Sequence, residues 1–231
     1  MQLLVQQFED ADGVAFGAAR ALVQRIKELF ETQAQVNLVI TGGTVGILTL
    51  AKLRELSLDW SRVHVWWGDE RFVEKASGDR NEVQAKQALL DHIEIPVANF
   101  HPFPASDEGL SLDEAALAFQ SEVSGVSFDI LLLGMGPDGH VASLFPGKSS
   151  SGELVVAEHD SPKPPPERLS LSYAAINSAK EVWLTVAGAD KAAAVAVAFG
   201  EDRESLPVGR VHGSEKTLWC VDASAGASLF G

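Results

Sequence analysis

Two patterns alternate along most of the chain. Short apolar runs rich in β-branched residues predict buried strands, and stretches in which apolar residues recur every three or four positions predict helices. The predicted strands lie near residues 3–8, 36–41, 63–67, 128–134, 168–173, 181–186 and 217–221. The predicted helices lie at residues 14–33, 45–56, 81–90, 112–123 and 190–199. This alternation predicts an α/β, Rossmann-like fold with a largely parallel sheet and helices on both faces.

The sequence contains no internal repeat and one break in composition, "EHDSPKPPPERLS" at residues 158–170. Its four prolines exclude regular structure. Because the strand and helix pattern resumes directly afterwards, we expect a loop inside one domain spanning residues 1–231 rather than a linker. In a fold of this kind, ligands bind beyond the carboxyl ends of the strands.

The composition of the chain argues against some classes of binding partner and indicates a cellular compartment. The 231 residues carry a net charge of −14, which argues against nucleic acid and anionic membranes as partners, because both attract clustered Lys and Arg. The amino terminus, "MQLLVQQFEDADG", lacks a signal-peptide pattern, and no apolar run reaches the ~20 residues that span a bilayer. The single cysteine, Cys220, suits a reducing compartment. We therefore expect a cytoplasmic protein, and its composition carries no signal for a particular oligomeric state.

A glycine turn follows the second predicted strand. Gly42 and Gly43 precede a helix that is expected to open near Thr44 or Val45. The first N–H groups of a helix have no internal partners, and glycines let a phosphate approach them closely. An ordinary strand-to-helix turn capped by threonine explains the same residues equally well. The segment is not a Walker A motif, since no Gly-Lys-Ser/Thr follows.

Charged residues gather after the third predicted strand, in "GDERFV". Asp69, Glu70 and Arg71 follow the strand-breaking Gly68, and an "RNE" segment precedes the next helix. Arginine suits an oxyanion or a phosphate because its planar fork donates two parallel hydrogen bonds. A solvated turn with local ion pairs is the alternative interpretation.

The segment "GMGPDGHVASLFPG" places His140 just past the end of a buried strand. Histidine can accept a proton near neutral pH, and Asp138, two positions earlier, can orient the imidazole. His140 is therefore the candidate general base. The other five histidines receive a structural or merely exposed interpretation: His64, His92, His101, His159 and His212.

Competing chemistries on these residues have less support. Ser143 does not lie in a G-x-S-x-G elbow. Asp138 and His140 could be two metal ligands, but no third ligand follows at a convincing spacing, so we expect no metal site. Cys220 follows a tryptophan in a predicted strand and fits the core better than a nucleophile role.

Two further cations lie near predicted strand ends. Arg168 follows the proline-rich loop, and Lys191 falls in the first turn of the helix after Gly188. A cation is unfavourable at a helix N-terminus unless an anion accompanies it, so Lys191 is a candidate phosphate contact. An exposed lysine is the commoner explanation.

Taken together, "GDERFV", "RNE", "GMGPDGHVASLFPG", "RLSLSYAAINSAKEVW" and "GADKAAAV" resemble the 6-phosphogluconolactonase family. The resemblance runs from the glycine turn to the terminal "LWCVDASAG". It implies a fold of the type shared with glucosamine-6-phosphate deaminase and ribose-5-phosphate isomerase. The deaminases continue into an asparagine-glutamate-proline segment where this chain reads "SLFP", and that difference favours a lactonase.

The resemblance implies hydrolysis of 6-phospho-D-glucono-1,5-lactone to 6-phospho-D-gluconate in the oxidative pentose phosphate pathway, without a cofactor. His140 then corresponds to the base that activates water, with Asp138 beside it, and Arg71 and Arg168 correspond to anion-binding arginines. Gly42, Gly43 and Thr44 fall in the phosphate loop, and Lys191 where a substrate-contacting lysine is expected. Arg71 or backbone N–H groups of residues 136–139 are candidates for stabilising the oxyanion.

The phosphate loop departs from the family pattern S-G-G-S-T-P. Val45 lacks a hydroxyl, and Gly46 replaces the proline that presets a helix start. The backbone N–H groups of the loop remain available. A deaminase or isomerase of sugar phosphates on the same fold is the main alternative function. A non-enzymatic sugar-phosphate sensor is the weaker alternative, because no helix-turn-helix pattern or basic region accompanies the domain.

Overall fold

The computed structural model describes residues 2–148 and 152–230. Its strands are β1 Gln2–Phe8, β2 Val36–Ile40, β3 Val63–Trp67, β4 Asp69–Arg71, β5 Phe100–His101, β6 Ile130–Leu133, β7 Val155–Glu158, β8 Arg168–Leu171, β9 Glu181–Val186 and β10 Lys216–Asp222. Its helices are α1 Ala11–Leu29, α2 Gly43–Leu53, α3 Asn81–Ala88, α4 Leu112–Val123, α5 Tyr173–Ser178, α6 Ala192–Ala198, α7 Pro207–Arg210 and α8 Ala227–Phe230.

A seven-stranded sheet forms the centre of the molecule, in the order β1-β10-β9-β6-β2-β3-β5, and its neighbouring strands all pair in parallel. Every residue of β6 and β9 is buried, so both faces of the central strands are covered. These strands and the helices packed on them enclose one continuous hydrophobic core. The predicted α/β fold with a parallel sheet is confirmed.

The strand order reverses between β2 and β6, which pair with each other. From β2 the chain proceeds to β3 on one side, and from β6 the next strand of this sheet, β9, lies on the other side. The loops that leave the carboxyl ends of β2 and β6 therefore diverge and open a crevice. Such a switch point is where open α/β sheets bind ligands.

A second, antiparallel sheet of order β4-β8-β7 was not anticipated from the sequence. The segment predicted as a strand at residues 168–173 is a strand only over Arg168–Leu171, and it lies in this small sheet. Tyr173 instead begins α5, because the Ser172 side chain accepts the N–H of Ala175 and caps the helix. The small sheet starts directly after β3, since Gly68 separates β3 from β4.

Local signals explain where several helices begin. The side chain of Asp10 accepts the N–H of Gly13 and starts α1 three residues before the predicted position. Ser111 and Glu114 form a reciprocal capping box at α4, whose observed bounds equal the predicted ones. The helix predicted at residues 190–199 opens instead with a 3₁₀ turn, Ala189–Lys191, before α6.

No helix in the described ranges is both long enough and apolar enough to cross a bilayer.

Candidate active site

A cavity of about 450 Å³ lies at the carboxyl edge of the parallel sheet, beside the switch point. It is lined by seven of the eight residues that the sequence singled out: Gly42, Gly43, Thr44, Arg71, His140, Arg168 and Lys191. The eighth, Asp138, contacts the imidazole of His140. The fold thus brings together side chains from segments that lie up to about 150 positions apart in the sequence (Gly42 to Lys191, a separation of 149).

The pairing of His140 with Asp138 defines the chemistry of the cavity. Nδ1 of His140 lies 2.5 Å from Oδ1 of Asp138. An ionised carboxylate only accepts hydrogen bonds, so Nδ1 carries the proton and Nε2 keeps the free lone pair. Burial lowers the pKa of His140, although the hydrogen bond and charge of Asp138 oppose that shift. The imidazole is therefore neutral and able to accept a proton near pH 7.

The carboxylate of Asp138 is held in its ionised form. Burial by itself would raise its pKa, but the hydrogen bond and charge of His140, together with the charge of Lys163, place the pKa of Asp138 below its ordinary value. A charged carboxylate stabilises the imidazolium that forms when His140 takes up a proton. The pair is thus arranged as a general base with an orienting partner.

The loop between β6 and His140 must be tight for a steric reason. A Cβ on Gly136 would lie 2.0 Å from both Cε1 and Nδ1 of His140, so only glycine allows the imidazole to occupy this position. The N–H of Gly136 donates to the His140 carbonyl at 2.9 Å, and the N–H of Gly139 donates to the Gly136 carbonyl at 3.0 Å. These two N–H groups are engaged within the loop, which weakens the expectation that residues 136–139 supply the oxyanion donors.

Arg71 is better placed for that role. Its guanidinium lines the cavity, where Nη1 donates to the carbonyl of Asp79. Its Nε is buried and has no hydrogen-bond partner among residues 2–148 and 152–230. A buried cationic donor without a partner is costly unless a ligand satisfies it. Arg71 is therefore suited to receive negative charge inside the cavity.

Glu70 fixes the backbone around Arg71. Its Oε1 accepts the N–H groups of Arg71 at 2.8 Å and of Asn81 at 2.7 Å, and its Oε2 accepts the N–H of Glu82 at 2.8 Å. Nη2 of Arg80 lies 3.8 Å from Oε2. Burial raises the pKa of Glu70 to about 7, against the opposing effect of Arg80 and the three N–H groups. The carboxylate joins the end of β4 to the start of α3.

Asn81 connects this network to the glycine turn. Its Nδ2 donates to the backbone carbonyl of Asp69 at 2.9 Å and to Oδ1 of Asp69 at 3.2 Å. Its Oδ1 points at Gly42 and, within the described part of the chain, has no hydrogen-bond partner. The other oxygen of Asp69, Oδ2, accepts the hydroxyl of Ser143 at 2.7 Å. Asp69 and Asn81 thus form a buried polar wall of the cavity, and Ser143 supports Asp69 from outside it.

The glycine turn presents the N-terminus of α2 to the cavity. α2 begins at Gly43, one or two residues before the predicted start, and Gly43 has φ +75°, a conformation that glycine adopts without strain. Gly42 at the N-cap position has no side chain, so the first N–H groups of this 11-residue helix stay free for a ligand. A Cβ at Gly46 would lie 2.8 Å from Cγ2 of Thr41. Gly46, which stands where the family pattern has proline, therefore leaves room for the Thr41 side chain.

Arg168 is anchored by the proline-rich loop. Its Nε donates to the carbonyl of Pro165 at 3.1 Å, and its Nη2 donates to the carbonyls of Lys163 at 3.0 Å and Pro164 at 3.1 Å. Burial lowers the pKa of Arg168, and the charge of Arg71 acts in the same direction. The loop holds one edge of the guanidinium and leaves Nη1 for the cavity.

Lys191 completes the cationic side of the site. It immediately precedes α6 and lies in the 3₁₀ turn after Gly188, and its Nζ pairs with Oδ2 of Asp190 at 2.6 Å. Its side chain is only 19% exposed, which is low for a lysine without a buried partner. In a chain with net charge −14, one cavity therefore collects Arg71, Arg168 and Lys191. This concentration of positive charge suits an anionic ligand.

Three residues near the cavity were missed as functional candidates in the sequence: Asp69, Asn81 and Lys163. Asp69 and Asn81 were visible in the charged segment, but their partners come from distant parts of the chain. Lys163 lies in the proline-rich loop, and its Nζ is 3.4 Å from Nδ1 of His140. The four prolines marked this loop in the sequence, but of its two cations, Lys163 and Arg168, only Arg168 was a candidate.

Ser143, Cys220 and two of the other histidines have structural surroundings. The Ser143 hydroxyl donates to Oδ2 of Asp69 and makes no hydrogen bond to a histidine among the described residues, so it lacks the base of a serine-hydrolase triad. Burial raises the pKa of Cys220 to about 12, which leaves an inert thiol in the core. His64 and His101 lie 2.9 Å apart, Nδ1 to Nε2, and His101 stacks on Trp66, which is a structural arrangement.

Comparison with known proteins adds the family context. A family model described as "Glucosamine-6-phosphate isomerases/6-phosphogluconolactonase" matches residues 9–219. The chain is 42% identical to a 6-phosphogluconolactonase from Mycobacterium leprae, with 100% of both chains covered.

Solved structures agree with the sequence comparison. A 6-phosphogluconolactonase from Thermotoga maritima superposes with a TM-score of 0.87 and 29% identity, covering 96% of this chain and 100% of that one. A monomeric glucosamine-6-phosphate deaminase superposes with a TM-score of 0.83 and 22% identity, covering 97% and 99%. The second match shows a shared fold, as predicted for the deaminases.

Proposed function

Because the chain belongs to the glucosamine-6-phosphate isomerase/6-phosphogluconolactonase family, we propose that it hydrolyses 6-phospho-D-glucono-1,5-lactone to 6-phospho-D-gluconate, a step of the oxidative pentose phosphate pathway. The observation that carries this proposal is the Asp138–His140 pair, with a 2.5 Å contact, at a cavity that also holds Arg71, Arg168 and Lys191. A base and an anion-binding group in one cavity are what hydrolysis of a phosphorylated lactone requires.

The substrate phosphate binds at the N-terminus of α2. Residues 43–46 at the start of α2 line the cavity, and the positive end of the helix dipole favours a dianion there. Arg168 and Lys191 line the same cavity and add positive charge. Binding this remote group orients the lactone so that its carbonyl carbon faces the water held by His140.

Hydrolysis then proceeds without a covalent enzyme intermediate. The water oxygen attacks C1 of the lactone while Nε2 of His140 takes its proton, which gives a tetrahedral oxyanion and an imidazolium paired with Asp138. The oxyanion collapses, the bond between C1 and the ring oxygen breaks, and His140 returns the proton to the ring oxygen. The product carboxylic acid ionises in water, so one proton is released overall.

Arg71 stabilises the oxyanion. Its guanidinium lines the same cavity as His140 and carries a fixed positive charge. A preorganised donor of this kind contributes roughly 3–4 kcal/mol to transition-state stabilisation in other enzymes. The backbone of residues 136–139 offers less, since two of its N–H groups are engaged within the loop.

The experiment is a comparison of two substrates. 6-Phosphogluconolactone is generated enzymatically, and its hydrolysis product is coupled to 6-phosphogluconate dehydrogenase, with a protein-free blank because such lactones open spontaneously. Glucosamine 6-phosphate is offered in parallel and ammonia release is measured. We expect lactone decay well above the blank and no ammonia. Ammonia release with blank-level lactone decay would replace the lactonase assignment by a deaminase.

The compartment is part of the proposal. The one cysteine of the chain is buried as a free thiol, which suits a reducing environment, and we place the reaction in the cytoplasm. The small-molecule lactone is the partner that the site requires.

A further inference from the structure

A lysine from the proline-rich loop lies beside the His140–Asp138 pair. Nζ of Lys163 is 3.4 Å from Nδ1 of His140 and 3.9 Å from Oδ1 of Asp138. Among the described residues, no other lysine forms a hydrogen-bond contact with the His140 imidazole. Lys163 is not among the residues that line the cavity, and its ammonium group contacts Nδ1 of the imidazole rather than the free Nε2.

The loop backbone fixes the position of Lys163. The N–H of Lys163 donates to Oγ of Ser161 at 3.2 Å, and that hydroxyl donates to the Lys163 carbonyl at 2.9 Å. The same carbonyl accepts Nη2 of Arg168 at 3.0 Å. Prolines on both sides of Lys163 restrict the remaining backbone freedom. The carbonyl of residue 163 therefore anchors Arg168, while its side chain faces His140, and a side-chain substitution separates the two roles.

The contact between Lys163 and His140 is electrostatic. The proton on Nδ1 is already donated to Asp138, so Nδ1 has no lone pair to offer the ammonium group. A positive charge at this distance disfavours a second positive charge on the imidazole. Its charge acts to lower the pKa of His140, opposite to the effect of Asp138.

Other charges also face His140. Those lining the same cavity come from four parts of the chain: Asp69 and Arg71 of β4, Arg168 of β8, Lys191 before α6, and Asp222 of β10. Asp69 acts in the same direction as Asp138 and favours the imidazolium. Lys163 is the cation in closest contact with the pair, so its removal shifts the balance of charge at the base toward the carboxylates Asp69 and Asp138.

We propose that the ammonium group of Lys163 reinforces the effect of burial in keeping the imidazole of His140 neutral, so that His140 remains a proton acceptor on the acidic side of neutrality. Lys163 acts through His140 and is a positioning residue rather than a catalytic one. The kinetic consequence rests on the proposed lactonase function, but the charge effect on His140 does not. The two can therefore be tested separately.

The direct test is an NMR titration of the His140 imidazole, assigned with a His140→Asn variant. Lys163→Met is expected to raise the midpoint of the titration, and Lys163→Arg is expected to keep it close to that of the wild type. Lys27→Met is the matched control, because it also removes one positive charge but far from the cavity. Ala11, at the start of α1, lines the cavity, and Lys27 lies 16 residues further along the same helix, about 24 Å from Ala11. An unchanged or lowered midpoint in Lys163→Met would overturn the proposal.

Kinetics give the second readout. In Lys163→Met, kcat/KM at pH 5.5 is expected to fall by roughly two- to fivefold, because more of His140 is protonated at that pH; the size of the effect is that of one partly exposed charge–charge interaction. At pH 8, where His140 is neutral in both proteins, the change is expected to be less than about twofold. An equal loss at both pH values, carried by KM, would mean that Lys163 binds substrate and would overturn the proposed role. If the wild type hydrolyses no lactone, the proposed function fails, yet the NMR titration still decides the role of Lys163.

Discussion

The side-chain oxygen of Asn81 occupies the space in which Gly42 would carry a Cβ: the ideal Cβ position lies 2.0 Å from Oδ1. Asn81 is the first residue of α3, and Gly42 is the N-cap of α2. This contact therefore couples the glycine turn to the segment that carries Asp69 and Arg71, because Nδ2 of Asn81 also donates to the backbone carbonyl of Asp69. The glycine is required by this neighbour, since its φ of −81° is accessible to any residue.

Gly42→Ala is expected to weaken phosphate binding. The added methyl group displaces Asn81 or shifts the turn, so KM should rise by roughly tenfold, as the cost of misplacing one charge-assisted contact, with a smaller effect on kcat. Steady-state kinetics on the lactone measure both constants. Gly152→Ala is the matched control, because no atom of the described residues lies within 4 Å of a Cβ there. Equal kinetics for the two variants would refute the steric coupling.

Asp138→Asn is expected to lower kcat and to move its acid limb to lower pH. The carboxylate favours the imidazolium, so its loss lowers the pKa of His140 further, and the neutral base persists to a lower pH. The plateau falls by about 10²-fold, since the imidazolium formed during the reaction loses its counter-charge. A pH profile of kcat measures both effects, and an acid limb that moved upward would contradict the sign of this coupling. The shift is opposite in direction to that expected for Lys163→Met.

Substitutions of the two arginines of the cavity are expected to change different kinetic constants. Arg71→Lys should lower kcat by about 10²–10³-fold, because an oxyanion donor acts only in the transition state. Arg168→Lys should instead raise KM by roughly tenfold, because a phosphate contact is present in both ground and transition states. Each variant controls for the other, since both keep the positive charge. If Arg71→Lys changed only KM, its assigned role would be wrong.

Cys220 is expected to report global unfolding. Burial raises the pKa of its thiol to about 12, so the thiolate is absent from the native protein at pH 8. A chromogenic disulfide reagent should label no thiol in the native state and one thiol per chain in denaturant, because the sequence has one cysteine. Rapid labelling of the folded enzyme would show that β10 opens locally.

The sequence predicted the parallel sheet because its strands are apolar runs that need cover on both faces. It did not predict β4 and β7, which are only three and four residues long. β4 forms only when it meets β8, a pairing between residues about 100 positions apart (Arg71 with Arg168, a separation of 97), and β7 pairs with β8 across the proline-rich loop. Local periodicity carries no information about that pairing.

The candidate site likewise contains some residues that the local sequence indicates and others that only the fold brings to it. Asp138 was recognisable because it lies two positions from His140 in one tight loop, and Gly136 with its neighbours signalled that the loop bends. Lys163 reaches the same imidazole from the proline-rich loop, 23 positions further along. Nothing local to "SPKPPPER" indicates which face of the molecule the loop returns to, so the contact was visible only in the folded structure.

The central claim is that His140 is the base of a lactonase, and the most direct measurement is lactone hydrolysis by His140→Ala. In the coupled assay, kcat for 6-phosphogluconolactone is expected to fall by about 10²–10⁴-fold relative to the wild type, toward the spontaneous rate, with KM little changed. Circular dichroism confirms that the variant is folded. A folded His140→Ala protein with wild-type kcat would contradict the account, because no water-activating role would then remain for the Asp138–His140 pair.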